Sequence, residues 1–337
     1  MTDPRAASRP SRALRRAWPW LLGLVIVVAM ATRVPFAAFR QALGHGPHLA
    51  LAATNVAINV AVLLSDSIAT WVGLIATRIR RRFGAVMVAR GATYLLFVLN
   101  YAVGQGGFGY YLYRTGVAPL RATGAALFLL GTNFATLIVV TTVAWAVRGP
   151  DAAGAAASAT MWWTLLGACG AYAVYLAVIA AAPRALARRQ LLAPLFDAGL
   201  RGHLLAMVGR LPHVAVVVLA MWSAMRVWGI GVPLAVGLTT LPVVVIVSAL
   251  PLSPAGLGTT QAALVYFFSG YAVGATDADR SAAVLAFALV HFVYGVLAST
   301  AVGVVCAPLA RRSAQAELLV PAAPAAPDAP APAPVSP

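Results

Sequence analysis

Lysine is absent from this chain and acidic residues are scarce: eight Asp and Glu stand against 24 basic residues, every one an arginine, in 337 positions. Charged residues make up 9% of the sequence and apolar ones 61%, with a mean hydropathy of +0.87. So few polar side chains exclude a soluble globule of this length, because its surface could not be covered. The two cysteines, Cys169 and Cys306, fall in apolar stretches, so neither a disulfide framework nor a metal site follows from them. Metal-dependent transfer chemistry needs clustered carboxylates, and the one close acidic pair is Asp277-Ala-Asp279, in a short segment beside Arg280. A Gly-x-Ser-x-Gly nucleophile elbow is also missing. The net charge of +16 does not indicate nucleic-acid binding, since the arginine clusters are short, lack interleaved aromatics and lie between apolar spans.

Apolar windows long enough to cross a bilayer, at roughly 20 residues each, run about 18–36, 49–77, 84–103, 120–147, 159–182, 203–229, 233–250 and 281–306. The fold expected is therefore an all-α polytopic membrane protein of about eight transmembrane helices. Two shorter segments, about 104–117 and 256–274, are Gly-rich or interrupted. The first window has a second reading as a signal peptide, with Arg12, Arg15 and Arg16 ahead of an apolar stretch ending at Ala29-Met-Ala31. Residues 1–16 form a basic amino terminus and 313–337 a Pro/Ala-rich tail that cannot bury a core and is expected to be disordered.

Arginine clusters at 5–16, 78–82, 184–201 and 311–312 should share the cytoplasmic side, which places both termini in the cytoplasm of a multi-pass cell-membrane protein. Three full windows separate Arg82 from Arg184, and three more separate Arg201 from Arg311. Parity is restored if both short segments cross. If both re-enter, the 184–201 loop lies outside and breaks the charge rule. The re-entrant alternative is the one favoured.

The two short segments resemble each other. Gly107-Phe-Gly109 and Gly256-Leu-Gly258 each follow one apolar window and precede another, 149 residues apart. This suggests two pseudo-symmetric halves, about 17–150 and 159–310, each with a broken or re-entrant segment, a pattern that points to a transporter site at the repeat interface. Gly-x-Gly also recurs where membrane helices simply pack closely. Pro251, Pro254, Gly256 and Gly258 should end the helix arriving from residue 233, and a helix restarting near Thr259 would aim free N–H groups into the break, an arrangement suited to a phosphate.

The run Leu250-Pro-Leu-Ser-Pro-Ala-Gly-Leu-Gly-Thr-Thr-Gln-Ala-Ala263 resembles the signature of the lysylphosphatidylglycerol synthetase transmembrane region, a flippase-like family in which Pro-x-x-Pro-Gly-Gly-Leu-Gly precedes Glu-Ala. Asn100-Tyr-Ala-Val-Gly-Gln-Gly-Gly107 resembles that family's earlier motif of Asn, Pro, Gly-Glu and Arg. The resemblance covers about residues 15–310. Gln261 stands where the family usually has Glu, and the earlier motif lacks the Pro, the acid and the following Arg. Because the soluble aminoacyltransferase domain of the best-known relatives has no counterpart here, the resemblance implies a stand-alone member that does not synthesise lysylphosphatidylglycerol. It implies instead the part associated with moving lipid between leaflets.

Three ionisable residues lie deep in apolar windows: Asp66, Arg90 and Arg210. An arginine at a helix centre costs about 2.5–3.5 kcal/mol to insert. Pairing with Asp66, a cavity between the halves, or snorkelling would each account for them. Arg114, Arg121 and Arg226 lie nearer window ends and read as interfacial. His45-Gly-Pro-His48 lacks further metal ligands. His213 and His291 read as hydrogen-bonded structural residues, and Asn55 and Asn59, four apart on one helical face, either line a cavity or bond across helices.

The leading expectation is a lipid transporter carrying a phosphate-bearing phospholipid or polyprenyl-linked lipid. Arg90, Arg210, Asp66, Asn100, Gly107, Gly109, Gly256, Gly258 and Gln261 would form its substrate path. The alternatives are a non-transporting scaffold that assists a separate lipid-modifying enzyme or glycosyltransferase, and an intramembrane transferase. No catalytic residue, cofactor, metal or nucleic-acid partner is expected, and sequence leaves the oligomeric state open.

Overall fold

A computed structural model describes residues 35–99, 101–148, 155–250, 253 and 256–319, with scattered positions between 21 and 32. Every regular element among them is helical: α1 (Phe36–Gly44), α2 (His48–Ala76), α3 (Phe83–Phe97), α4 (Tyr101–Arg114), α5 (Pro119–Arg148), α6 (Ala155–Ala181), α7 (Arg184–Ala187), α8 (Ala193–Val227), α9 (Leu234–Ala249), α10 (Thr259–Phe268) and α11 (Asp277–Leu319), with a 3-10 turn at Ser269–Tyr271. Most of the window at 18–36, the amino terminus, Asn100, Pro251, Pro254 and the Pro/Ala-rich tail from residue 320 lie outside the described residues. The first residues of the segment expected as tail are the end of α11, where Glu317 pairs with Arg81 at 2.7 Å.

Five helices among the described residues are long and apolar enough to cross a membrane: α2, α5, α6, α8 and α11. Two windows expected as full crossings are not. The window 84–103 contains α3 of 15 residues and 233–250 contains α9 of 16, only about 22–24 Å at 1.5 Å per residue against a hydrocarbon core of about 30 Å. Each is followed by a short helix that returns to the end it came from. Arg81, just before α3, donates to the Thr115 carbonyl, just after α4, at 3.0 Å. Gly231, just before α9, donates its N–H to the Tyr271 carbonyl, just after α10, at 2.9 Å. A hydropathy average merges such a pair with its turn because Val98 and Leu99, the first turn residues, are themselves apolar.

The two hairpins open at opposite ends of the bundle. Arg81–Glu317, Arg121–Asp197 and the approach of Gly202 to Ala76 bring the C-terminus of α2, the starts of α5 and α8 and the end of α11 to one arginine-rich end. Gly46 and His48 meet Trp228 at the other end, where α9 and α10 open. Since neither hairpin adds a crossing, two long helices separate the 78–82 cluster from 184–201 and two more separate 184–201 from 311–312, so these three clusters share one end; the 5–16 cluster lies outside the described residues. The expected breach of the charge rule does not occur, because each short segment re-enters together with the window that precedes it.

The expected break at Gly107 and Gly109 is also corrected. Both lie inside unbroken α4. A Cβ on Gly107 would come within 2.3 Å of Leu96 Cδ1 on α3, and one on Gly109 within 3.3 Å of Ala126 Cβ on α5, so these glycines allow close helix packing. The second break is where it was expected, with Gly256 and Gly258 at φ +73° and +86° ahead of α10.

Apolar clusters lie toward each end of the bundle. Leu74, Val86, Phe108 and Phe128 are among the first, and Leu51, Val214, Ile230 and Phe287 among the second. Along α8, Ala206 belongs to one and Val214 to the other, with buried Arg210 between them. Outside the bundle α6 is largely uncovered, with Trp163 71% and Val174 66% exposed, as an apolar helix facing lipid would be.

Candidate functional site

The polar centre is built by three helices around one carboxylate. Asp66 on α2 accepts from Arg90 Nε on α3 at 2.6 Å and from Arg210 Nη1 on α8 at 2.6 Å, one arginine on each oxygen. Arg90 Nη2 approaches the same Oδ2 at 2.5 Å. All three side chains are buried, Asp66 at 3%, Arg90 at 2% and Arg210 at 1% exposure. Charges this deep are stable only when paired and hydrogen-bonded. One carboxylate against two guanidinium groups leaves a formal surplus of one positive charge.

Arg90 is held further from α4 and from its own helix. Its Nη1 donates to Gln105 Oε1 at 3.2 Å, and Gln105 Nε2 donates to the Tyr101 hydroxyl at 3.1 Å. The guanidinium carbon lies 5.3 Å from the Phe97 ring centre and 5.4 Å from that of Phe108, within cation–π range. These contacts fix Arg90 where the α3–α4 turn reaches the middle of the bundle.

A cavity of about 310 Å³ opens there, with Asp66, Arg90, Tyr101, Asn133 and His213 on its wall and Ser248 at the tip of the second hairpin. A second chamber of about 250 Å³ adjoins it, sharing Tyr94, Phe97, Val245, Ser248 and Ser299, and is closed by Thr260, Gln261 and His291. The hairpins that enter from opposite ends therefore meet at two adjoining, mainly apolar chambers with the charged triad on the wall of the first.

The structure sorts the residues expected at the site. Asp66 and Arg90 line the first chamber and Gln261 the second. Arg210 was expected on the cavity wall but is held behind Asp66 and does not line it. Gly107 and Gly109 are packing positions on α4, away from the chambers. Gly256 and Gly258 form the break, yet their N–H groups are engaged: Gly256 N–H bonds the Ser253 carbonyl at 3.3 Å, and Gly258 N–H the Gln261 side-chain oxygen at 2.6 Å. Gln261 thus caps the helix it belongs to, a role for a residue at the third helical position, and occupies one of the donors expected to meet a phosphate. Asn100 is outside the described residues. Asn59 takes both roles considered for it, lining the first chamber and accepting from Ser299 Oγ at 2.8 Å.

Sequence reasoning missed Gln105, Tyr101 and Tyr94. Gln105 carried a usable signal, as a polar side chain alone among glycines and aromatics in an apolar stretch. The tyrosines read as ordinary membrane aromatics until the fold placed them.

Chemically the centre suits transient anion binding. Both oxygens of Asp66 are taken by arginines, so it is not a free general base, and no group of three or more His, Cys, Asp or Glu among the described residues could hold a metal ion. No protein-family model matches the chain, and no curated protein matches it.

Proposed function

We propose that this chain moves a phosphate-bearing lipid, a phospholipid or a polyprenyl-linked one, between the two leaflets of a cell membrane. The observation that carries this reading is the position of Arg90, a buried cation in a triad of net positive charge, on the wall of the cavity where two hairpins from opposite ends of the bundle meet. A positive centre in a low-dielectric space offsets much of the desolvation of a phosphate, while acyl or prenyl tails stay outside the bundle.

Further support comes from the arrangement of the hairpins. One falls in the half 17–150 and the other in 159–310, and they are open to opposite ends, as an inverted repeat with a central site would be. The resemblance of the 250–263 run to the lysylphosphatidylglycerol synthetase transmembrane region agrees with this reading. The arginine-rich end then faces the cytoplasm with both termini.

Reconstitution into vesicles carrying fluorescent phospholipid tests it. The parent chain should let an impermeant quencher reach inner-leaflet probe, and Arg90→Gln should slow this about tenfold, the scale of one charge-assisted hydrogen bond. Absence of exchange in the parent overturns transport and leaves a scaffold for a separate lipid-modifying enzyme. A chemically altered lipid points to a transferase.

A further inference from the structure

Polar side chains buried in these helices mostly bond back to their own backbone. Asn55 and Asn59 on α2 and Thr132 and Thr136 on α5 each donate to the carbonyl four residues earlier, at 2.8–2.9 Å. Asn133 is the exception: it is 5% exposed, lines the first chamber and makes no hydrogen bond among the described residues. His213 on α8 lines the same chamber, with Nδ1 against Ser65 Oγ at 3.1 Å and Nε2 without a partner. Neither the Asn133 amide nor His213 Nε2 is sealed by packing, so both remain open on residues that face this space. A buried amide that neither the backbone nor a neighbour satisfies marks a place where a ligand completes the bonding.

The charge of that ligand follows from the triad. Arg90 meets Asp66 and Gln105 through one hydrogen each on Nε, Nη1 and Nη2, which leaves one free on each terminal nitrogen. Asp66 and Arg90 are the only charged residues lining either chamber, and Arg210 stands behind Asp66. The surplus of one positive charge is therefore what a ligand has to match. A phosphodiester carries a single negative charge. A phosphomonoester carries about 1.5–2 near neutral pH, and the excess would go uncompensated in a low-dielectric space.

Resting on the transport reading above, we infer that the first chamber selects a lipid phosphodiester by matching a single charge. Arg90 gives the charged contact, and Asn133 and His213 give neutral ones from two other helices. Arg210 acts without touching the ligand, because it supplies the positive charge that Asp66 would otherwise cancel. Phosphomonoester and diphosphate headgroups are disfavoured.

Binding of acyl-matched phosphatidylmethanol and phosphatidic acid to the purified full chain in detergent, measured by native mass spectrometry, tests this without requiring transport. The two lipids differ by one methyl group on the phosphate and, at about pH 8, by close to one charge. Phosphatidylmethanol should bind about tenfold more tightly. Arg210→Gln should weaken it about tenfold although that side chain lines neither chamber, and Arg210→Lys, which keeps the charge, should retain it. Asn133→Leu should weaken it about fivefold, the factor for one net hydrogen bond, without lowering Tm, since nothing in the fold satisfies the amide it removes. Equal binding of the two lipids, or parent-strength binding by Arg210→Gln, overturns charge matching. A lowered Tm with unchanged binding in Asn133→Leu makes Asn133 structural and overturns its place in the site. Displacement of phosphatidylmethanol by soluble dimethyl phosphate at equal concentration overturns the assignment to a lipid. Selective binding without exchange in vesicles refutes transport alone, and exchange without the preference for the diester refutes this inference alone.

Discussion

Asp66 spends both of its oxygens on arginines from two other helices, so its removal and theirs have different consequences. Asp66→Asn leaves two buried guanidinium groups facing each other without a counter-charge, a loss on the scale of about 3–5 kcal/mol for a broken buried pair. Arg210→Gln leaves a neutral Asp66–Arg90 pair. Thermal unfolding in detergent should show a large fall in Tm for Asp66→Asn and a small one for Arg210→Gln, with Arg90→Gln between them because it also loses Gln105 and two aromatic faces. A Tm for Asp66→Asn equal to that of the parent would show that the triad is not a structural centre. These three residues were legible because an ionisable side chain deep in an apolar window is an exception that needs a partner. Which arginine lines the cavity was not, since that depends on the side of Asp66 from which each helix approaches.

At the scale of the elements, the α3–α4 hairpin is held together by glycines on one face of α4. A Cβ on Gly104 would fall within 2.2 Å of the Phe97 ring, whereas one on Gly106 would meet nothing within 4 Å. Gly104→Ala should therefore destabilise by about 1–3 kcal/mol through overpacking, while Gly106→Ala should be neutral or stabilise by up to about 1 kcal/mol through helix propensity. Unfolding in detergent checks the pair, and equal effects would place the α3–α4 contact elsewhere. The turn of the second hairpin was legible because prolines and glycines mark it, Gly256 and Gly258 in a backbone region closed to most side chains, although the window 233–250 ahead of it was read as a full crossing. The first was misplaced because its turn begins with Val98 and Leu99, residues that continue a helix as readily as they end one.

The whole molecule is organised by arginines at one end and two hairpins that do not cross. In a chain with Cys169 and Cys306 replaced by serine, cysteines at the exposed positions Arg189 and Arg312 should react with an impermeant maleimide from the same side. A cysteine at Ala275 should react from the opposite side. Reaction of the 189 and 275 positions from one side would break the hairpin topology, and with it the meeting of the two turns at one cavity.

Composition alone determined that this chain is not a globule in water, because 61% apolar residues leave no means of covering one, and the bilayer-length apolar runs determined that it is helical. The sequence also singled out Asp66, Arg90 and Arg210, because each violates the apolar pattern around it. Tertiary structure decided how many helices are full length, where the first hairpin turns, and which polar groups share a chamber. Those are questions of pairing between segments far apart in the chain, such as Asp66 with Arg210 and Arg81 with Glu317. Hydropathy registers the environment of each residue and carries no information about its neighbours across the bundle.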